Sequence, residues 1–212
     1  MVERHPTTYL QAAAWVPFDL VTPWEDAAAV AAEWIWQRSN VEGVDPALVT
    51  NTLRGGVLLP VLAEIGRCGH ASPQSKQRLD LGPVLAYVPD KKALIYAMDL
   101  ARGYSLVVVE GSNFKLAEWA AGAAAIDLLT DQQTSSSLTS EVLKDLDSVI
   151  FFGGNNGWTG SHEKDHARRR LSAHAAGGLL TGEQAAAYVM SQGVSDRGAT
   201  RLKRLLEAKA KY

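Results

Sequence analysis

Three short, continuously apolar segments constrain the fold of this chain most strongly. They occupy residues 83–88, 105–109 and 148–152, and none of them alternates apolar with polar side chains. Strands of this kind suit a sheet that is covered on both faces. Helical patterns separate the segments, and the order strand–helix–strand is typical of a parallel sheet with right-handed crossovers. We therefore predict an α/β fold, with a small parallel sheet of about three or more strands covered by helices.

Helices are predicted on both sides of these segments. Thr22-Pro23-Trp24-Glu25 has the composition of a helix start, with a capping threonine and a proline in the first turn, and a second helix is predicted over residues 45–53. The remaining predicted helices cover residues 91–102, 114–129, 139–147, 162–176, 182–192 and 196–209. We expect a single compact protein, in which residues 1–160 form a helical segment plus the α/β core and residues 161–212 form a basic helical segment.

Composition and cysteine content restrict the class of protein. The chain has 212 residues and is 47% hydrophobic, which is enough for a buried core without disulfides or metal. Cys68 is the only cysteine, so no internal disulfide forms, as is typical of reducing compartments. The first six residues lack the apolar stretch of a signal peptide, and residues 116–129 are too short and too charged to span a bilayer. We therefore expect a cytoplasmic protein with no membrane partner.

Charge is distributed unevenly along the chain. Residues 161–212 carry ten lysine and arginine residues and five acidic residues, a formal charge of +5, whereas residues 1–160 carry 11 and 18, a formal charge of −7. A basic segment of this kind favours a polyanion such as nucleic acid, an acidic protein partner or association between copies of the chain. A solvated helical face is the alternative. An assembly or adaptor protein without enzymatic activity therefore remains one of the hypotheses.

Polar side chains follow each of the three apolar segments. If the segments are parallel and adjacent strands, the loops over residues 89–91, 110–113 and 153–158 meet at the edge where open α/β sheets bind ligands. The predicted ligand-binding residues are Asp90, Ser112, Asn113, Asn155, Asn156 and Trp158, the last as a ring that stacks on a base. The first three are also good helix caps, and Asn-Asn-Gly is also an ordinary turn, so a purely structural role stays open.

Glu110 is the first catalytic candidate. It directly follows a buried segment, where a carboxylate requires a partner. Our leading hypothesis is a nucleotide- or nucleic-acid-binding protein. For an enzyme we expect hydrolysis or transfer at a nucleotide, with Glu110 as general base or nucleophile. The sequence contains neither G-x-G-x-x-G nor a P-loop, so neither phosphate-binding motif applies. Whether the protein is an enzyme is left open.

The segment His162-Glu163-Lys164-Asp165-His166 matches H-E-x-x-H and resembles the zinc metallopeptidases. The resemblance implies that His162 and His166 bind zinc and that Glu163 is a general base toward metal-bound water, with Glu183 as the third ligand that gluzincins have. The variable positions are charged here, and the glycine and third histidine of metzincins are replaced by Arg169 and Ser172. A zinc hydrolase is therefore the alternative enzyme, and zinc is the only cofactor that the sequence suggests.

The segment from Ser105 to Trp119 resembles the strand-to-helix box of TIR domains, which show an apolar strand, then Ser-x-Asn-aromatic, then Trp. The resemblance implies a catalytic glutamate three residues after Trp119, where this chain has Gly122. Glu118 is a nearby substitute, although Lys115 and Glu118 are spaced as a surface pair. We interpret the likeness as a local geometry that suits nucleotides.

The basic C-terminal segment has the pattern of a helix-turn-helix. A helix over residues 183–192 is followed by a tight turn and a second, basic helix over residues 196–209. The predicted nucleic-acid-binding residues are Arg197, Arg201, Lys203 and Arg204. Gly198, early in the second helix, departs from the pattern, and helix pairs with short turns are often packing units instead.

Overall fold

The computed structural model describes residues 10–53, 59–75, 79–112 and 114–208. The chain divides into two compact units. The first unit comprises residues 1–114 and 124–134, and the second unit comprises residues 115–123 and 135–212. The boundary at residue 160 that the sequence suggested stays a prediction.

A mostly parallel sheet forms the centre of the first unit, which confirms the predicted α/β fold. Its seven described strands are β1 (Ala12–Val16), β2 (Ala47–Val49), β3 (His70–Ala71), β4 (Val84–Tyr87), β5 (Ser105–Val109), β6 (Ile126–Asp127) and β7 (Gln132–Gln133). They lie in the order β3-β2-β4-β5-β1-β6-β7, and β7 alone among them is antiparallel to its neighbour. Three helices of this unit are α1 (Trp24–Glu42), α2 (Pro60–Cys68) and α3 (Lys91–Leu100).

Helices cover both faces of this sheet, as the continuously apolar segments predict. Val107 and Val109 of β5 pack with Ile35 of α1 in one core cluster. Leu106 and Val108 point to the opposite face and are also fully buried. The β1–α1–β2 connection and the β4–α3–β5 connection run in opposite directions along the sheet, so right-handed crossovers place α1 and α3 on opposite faces.

The central strand β1 and the short strand β2 were not predicted. The Ala-rich segment of β1 has no recognisable period, and residues 45–53 were assigned to a helix because Asp45-Pro46 resembles a helix start. The predicted cap of α1 was also wrong. The N-cap residue is Pro23, without a side-chain cap, and the Thr22 hydroxyl donates to Asp19 Oδ2 at 2.9 Å instead.

The second unit is helical. Its described helices are α4 (Ala117–Gly122), α5 (Ser140–Gly153), α6 (Ser161–Ala176), α7 (Gly182–Ser191) and α8 (Asp196–Glu207). The helix predicted over residues 114–129 is cut short, because Ala124 adopts a φ of 55° and the chain then enters β6. Of the helices that the structure describes, none has both the length and the apolar content needed to cross a bilayer.

The strand predicted over residues 148–152 is wrong, because this segment continues α5. The Thr139 side chain accepts the N–H of Val142 and begins the helix. Buried positions then recur at helical spacing, at Val142, Leu146, Val149 and Gly153. Phe151 and Phe152 are apolar but exposed, with 71% and 52% of their surface accessible. Because they closely follow residues of this buried stripe in the sequence, the segment reads as a continuous apolar run and was assigned to a strand.

Candidate functional site

In the first unit, four turns lie at the carboxyl edge of the parallel sheet. β1, β2, β4 and β5 are parallel and adjacent in the order β2-β4-β5-β1, so the residues that follow them lie at one edge. From β1 the chain leads to β2, across β5 and β4, whereas from β5 it leads to β6, across β1. Open α/β sheets bind ligands where neighbouring connections run in opposite directions. The connections from β2 to β3 and from β4 to β5 also do so, and the candidate site is therefore the carboxyl edge of these four strands, with the turns after β1 and β5 at one side of it.

Glu110 joins the two turns at this point. Its side chain is buried, and its Oε2 accepts the N–H of Phe18 at 2.8 Å, while its own N–H donates to the carbonyl of Val16 at 2.9 Å. The carboxylate thus has the partner that its burial requires. This geometry suits a residue that positions the turn after β1. The role of Glu110 as general base or nucleophile stays a prediction.

Asn51 is a residue of this edge that the sequence reasoning missed. Its Nδ2 donates to the carbonyl of Val88 at 3.0 Å, and its Oδ1 accepts the N–H of Asp90 at 2.7 Å. Both bonds hold the turn after β4, where Val88 adopts a φ of 47°. Such a backbone is strained for a β-branched residue, by roughly 1–3 kcal/mol, and strain of this kind often occurs at functional sites. An asparagine after a recognised strand would have been the signal, but β2 was assigned to a helix.

Three predicted ligand residues belong to the loops after β4 and β5, namely Asp90, Ser112 and Asn113. Asp90 caps α3 by accepting the N–H of Ala93 at 2.8 Å, as the sequence predicted. Ser112 is exposed in the turn in which Gly111 and Phe114 pair with each other. Asn113 lies outside the described residues. The role of Ser112 in ligand binding stays a prediction.

Aromatic side chains border the same edge. The ring centroid of Trp24 lies 5.5 Å from that of Phe18 and 6.4 Å from that of Tyr87. Trp24 keeps 42% of its surface exposed, and burial raises the pKa of the Tyr87 hydroxyl. Trp24 therefore offers a partly exposed ring beside the turn that Glu110 holds.

The third predicted loop follows a helix rather than a strand. Asn156 Oδ1 accepts the N–H of Trp158 at 2.9 Å, and its Nδ2 donates to Glu163 Oε1 at 2.9 Å. Trp158 is fully buried, and its indole N–H donates to the carbonyl of Val149 at 3.3 Å. The predicted stacking of Trp158 on a ligand is therefore wrong, because this ring belongs to the core of the second unit. Asn155 is exposed.

The H-E-x-x-H segment begins α6, and the structure does not support a metal centre there. Within the described ranges, no three His, Cys, Asp or Glu side chains form a group that could hold a metal ion. The centroid of the His166 ring lies 4.4 Å from that of Phe152, with the two rings tilted by 42°, and its Nε2 lies 3.3 Å from Ser148 Oγ. Glu183, the expected third ligand, contacts Lys203. Hydrogen bonds from the Glu163 backbone and the Asn156 amide lower the pKa of Glu163, which weakens it as a general base.

The environment of His166 predicts a pH dependence of stability. Burial, followed by the charges of Arg170 and Arg169, lowers the pKa of His166 below its usual 6.5, although Asp145 opposes this. Because folding then favours the neutral ring, this contribution to stability is present above pH 6.5 and is lost as the pH falls toward the folded pKa. We expect chemical denaturation at pH 7.5 and 5.5 to show a smaller loss of stability for His166→Gln than for the wild type. An equal or larger loss in the variant would contradict this.

Glu118, the substitute for the TIR-like glutamate, is buried rather than part of a surface pair. Its carboxylate accepts the hydroxyls of Ser136 and Ser137, each at 2.5 Å, and the Ser137 N–H at 3.0 Å. These bonds tie α4 to the segment before α5. At the position of this TIR-like glutamate, the chain therefore has a carboxylate that connects two segments of the second unit.

The predicted nucleic-acid-binding residues share α8 but differ in their partners. Lys203 contacts Glu183 and lies 3.6 Å from Glu207, and the bond to Glu183 raises the pKa of Lys203. The Lys203 charge is therefore balanced by carboxylates. Arg197 and Arg204 are exposed.

Comparisons with known proteins assign no family. No protein-family model matches the chain, and neither a curated protein nor a solved structure matches it.

Proposed function

We propose that the first unit binds a nucleotide at the carboxyl edge of its sheet, between the turns that follow β1 and β5. The observation that carries this proposal is the buried carboxylate of Glu110, which fixes the turn after β1 at a position where neighbouring outgoing connections run in opposite directions. Open α/β sheets place their ligands in the crevice at such a position.

The aromatic side chains support a ligand with a planar ring. Trp24 is partly exposed and is backed by Phe18 and Tyr87, so its indole can accept a stacked base while its position is held. Stacking of a base on an aromatic side chain contributes about 1–3 kcal/mol and does not depend strongly on the identity of the base. This supports recognition of the base by stacking.

The start of α3 supports a ligand with negative charge. Its first turn contains Lys91 and Lys92 and no acidic residue. The Asp90 carboxylate at the N-cap balances one of these two positive charges, and a nearby phosphate would interact favourably with the other and with the positive end of the helix dipole. The Lys91 ammonium lies 5.0 Å from the ring centroid of Phe114, in the turn after β5. Two lysines here favour a nucleotide over an uncharged nucleoside.

Thermal denaturation of the full chain with nucleotides tests this proposal. With 10 mM ATP or AMP we expect the Tm to rise by several degrees, since a ligand at 100 times its Kd stabilises a protein by about 2.7 kcal/mol. Adenosine should give a smaller rise and inorganic phosphate a smaller one still. Because stacking is lost, Trp24→Ala should weaken binding roughly 5- to 100-fold in calorimetry.

Phe152→Ala provides the matched control, since it removes a partly exposed aromatic ring from the second unit. It should bind AMP as the wild type does. The proposal fails if no nucleotide changes the Tm at 10 mM, or if Trp24→Ala and Phe152→Ala bind AMP equally well.

A further inference from the structure

A cluster of basic side chains borders an open cavity at the surface of the second unit. Lys164 of α6 and Arg201 and Arg204 of α8 line a cavity of about 240 Å³, and Leu205 contributes an apolar wall. These residues belong to helices that pack on each other within one unit. The cluster is independent of the nucleotide site proposed above, since it uses no residue of the first unit.

Nearby basic residues are neutralised, whereas this cluster is not. Arg168 pairs with Asp165 at 3.1 Å, and Arg170 pairs with Asp145 at 3.2 Å. Within the part of the chain that the structure describes, Lys164 and Arg204 form no ion pair with a carboxylate. The described residues that border the cavity thus include three cations and no carboxylate, although the charge of Lys164 also acts on the neighbouring Glu163.

Arg201 is held in place by the backbone of a neighbouring loop. Its Nη1 donates to the carbonyl of Gly157 at 3.2 Å. A Cβ on Gly157 would lie 3.0 Å from Gly198 Cα, and a Cβ on Gly198 would lie 3.2 Å from Gly157 Cα. The two glycines thus allow α8 to approach the loop closely, which explains a glycine early in this helix. The guanidinium is oriented before any ligand arrives, which lowers the entropic cost of binding.

We propose that this surface binds the phosphate backbone of a nucleic acid without reading its sequence. Arg197, Arg201 and Arg204 recur at i, i+4 and i+7, opposite the buried residues Leu202 and Leu206. They span about 10 Å of the helix, which is close to three steps of about 3.4 Å along one strand, the span of four successive phosphates. The cavity wall itself is almost entirely apolar, formed by Leu205 and the carbon atoms of the basic side chains, and offers almost no hydrogen-bonding group that could read the edges of bases.

Fluorescence anisotropy with a labelled 20-base-pair DNA duplex tests this inference. We expect binding at 50 mM salt that weakens linearly in a log–log plot, with a slope of about −3 for three to four neutralised phosphates. Lys164→Ala and Arg204→Ala should each reduce the slope by about 0.9 and the affinity at 0.1 M salt roughly 5- to 10-fold. A duplex of unrelated sequence should bind with the same affinity.

Lys144→Ala is the matched control, because Lys144 is exposed on α5 of the same unit and lies outside the cavity wall. It should bind the duplex as the wild type does, and unchanged circular dichroism should show that all variants fold. Undetectable binding at 50 mM salt, binding that ignores salt, or equal affinities of Arg204→Ala and Lys144→Ala would overturn the proposal. Equal competition by poly-glutamate would overturn it in favour of an acidic protein partner.

Discussion

Replacing Trp158 by alanine should lower the free energy of unfolding by about 3–5 kcal/mol, as is usual for a fully buried tryptophan. The side chain fills space against Gly153, where an added Cβ would lie 2.4 Å from the indole ring. The substitution leaves a cavity there and removes the indole hydrogen bond to Val149. Urea denaturation, followed by circular dichroism so that the loss of one fluorophore does not matter, measures the effect.

Two further variants separate packing from the other consequences of removing Trp158. Trp158→Phe keeps most of the ring volume but not the N–H donor, so it should cost less than alanine does. Phe151→Ala removes an aromatic ring of α5 that is 71% exposed, and it should change the free energy of unfolding by about 0.5 kcal/mol or less. A similarly small effect for Trp158→Ala would instead fit the exposed, ligand-stacking ring that the sequence suggested.

The misassignment of residues 148–152 shows where sequence patterns stopped being informative. Continuous apolar segments predicted β4 and β5 correctly, because both strands are buried on two faces. The same pattern arises in α5 when exposed phenylalanines follow a buried stripe, and a window of five residues cannot separate a period of 2 from one of 3.6. β1 escaped prediction for the opposite reason, since its small alanines carry little apolar signal although the strand is central.

Residues of the candidate site could be predicted from the sequence only where the strand that precedes them was also predicted. Glu110 and Asp90 follow β5 and β4, so both were found, and Asp90 caps its helix as expected. Asn51 and Phe18 follow β2 and β1, which were not recognised, so neither was assigned to the edge. The order of strands along the sheet depends on long-range pairing, and no local pattern indicates that the turn after β1 meets Glu110.

We expect a second large effect on stability at the place where the turns after β4 and β5 approach each other closely. Gly111 follows β5, and a Cβ at this position would lie 2.5 Å from Val88 Cγ1. We expect Gly111→Ala to cost about 1–3 kcal/mol, because either the strained turn at Val88 or the turn after Glu110 must shift. The added methyl would lie 3.7 Å from Val88 Cβ, which is ordinary contact, so the clash depends on the γ-methyl of Val88 alone.

A double-mutant cycle isolates this contact. In the Val88→Ala background the γ-methyl is absent, so Gly111→Ala should cost about 0.5 kcal/mol or less, and the coupling between the two positions should be about 0.5–3 kcal/mol. AMP affinity should change in the same way. Gly111→Ala alone should weaken AMP binding, because a displaced turn after β5 would disturb the crevice beside Glu110, and the double variant should bind AMP as the wild type does. Additive effects of the two substitutions would show that the turns after β4 and β5 do not constrain each other, and the edge would then lose the rigidity that our nucleotide proposal requires.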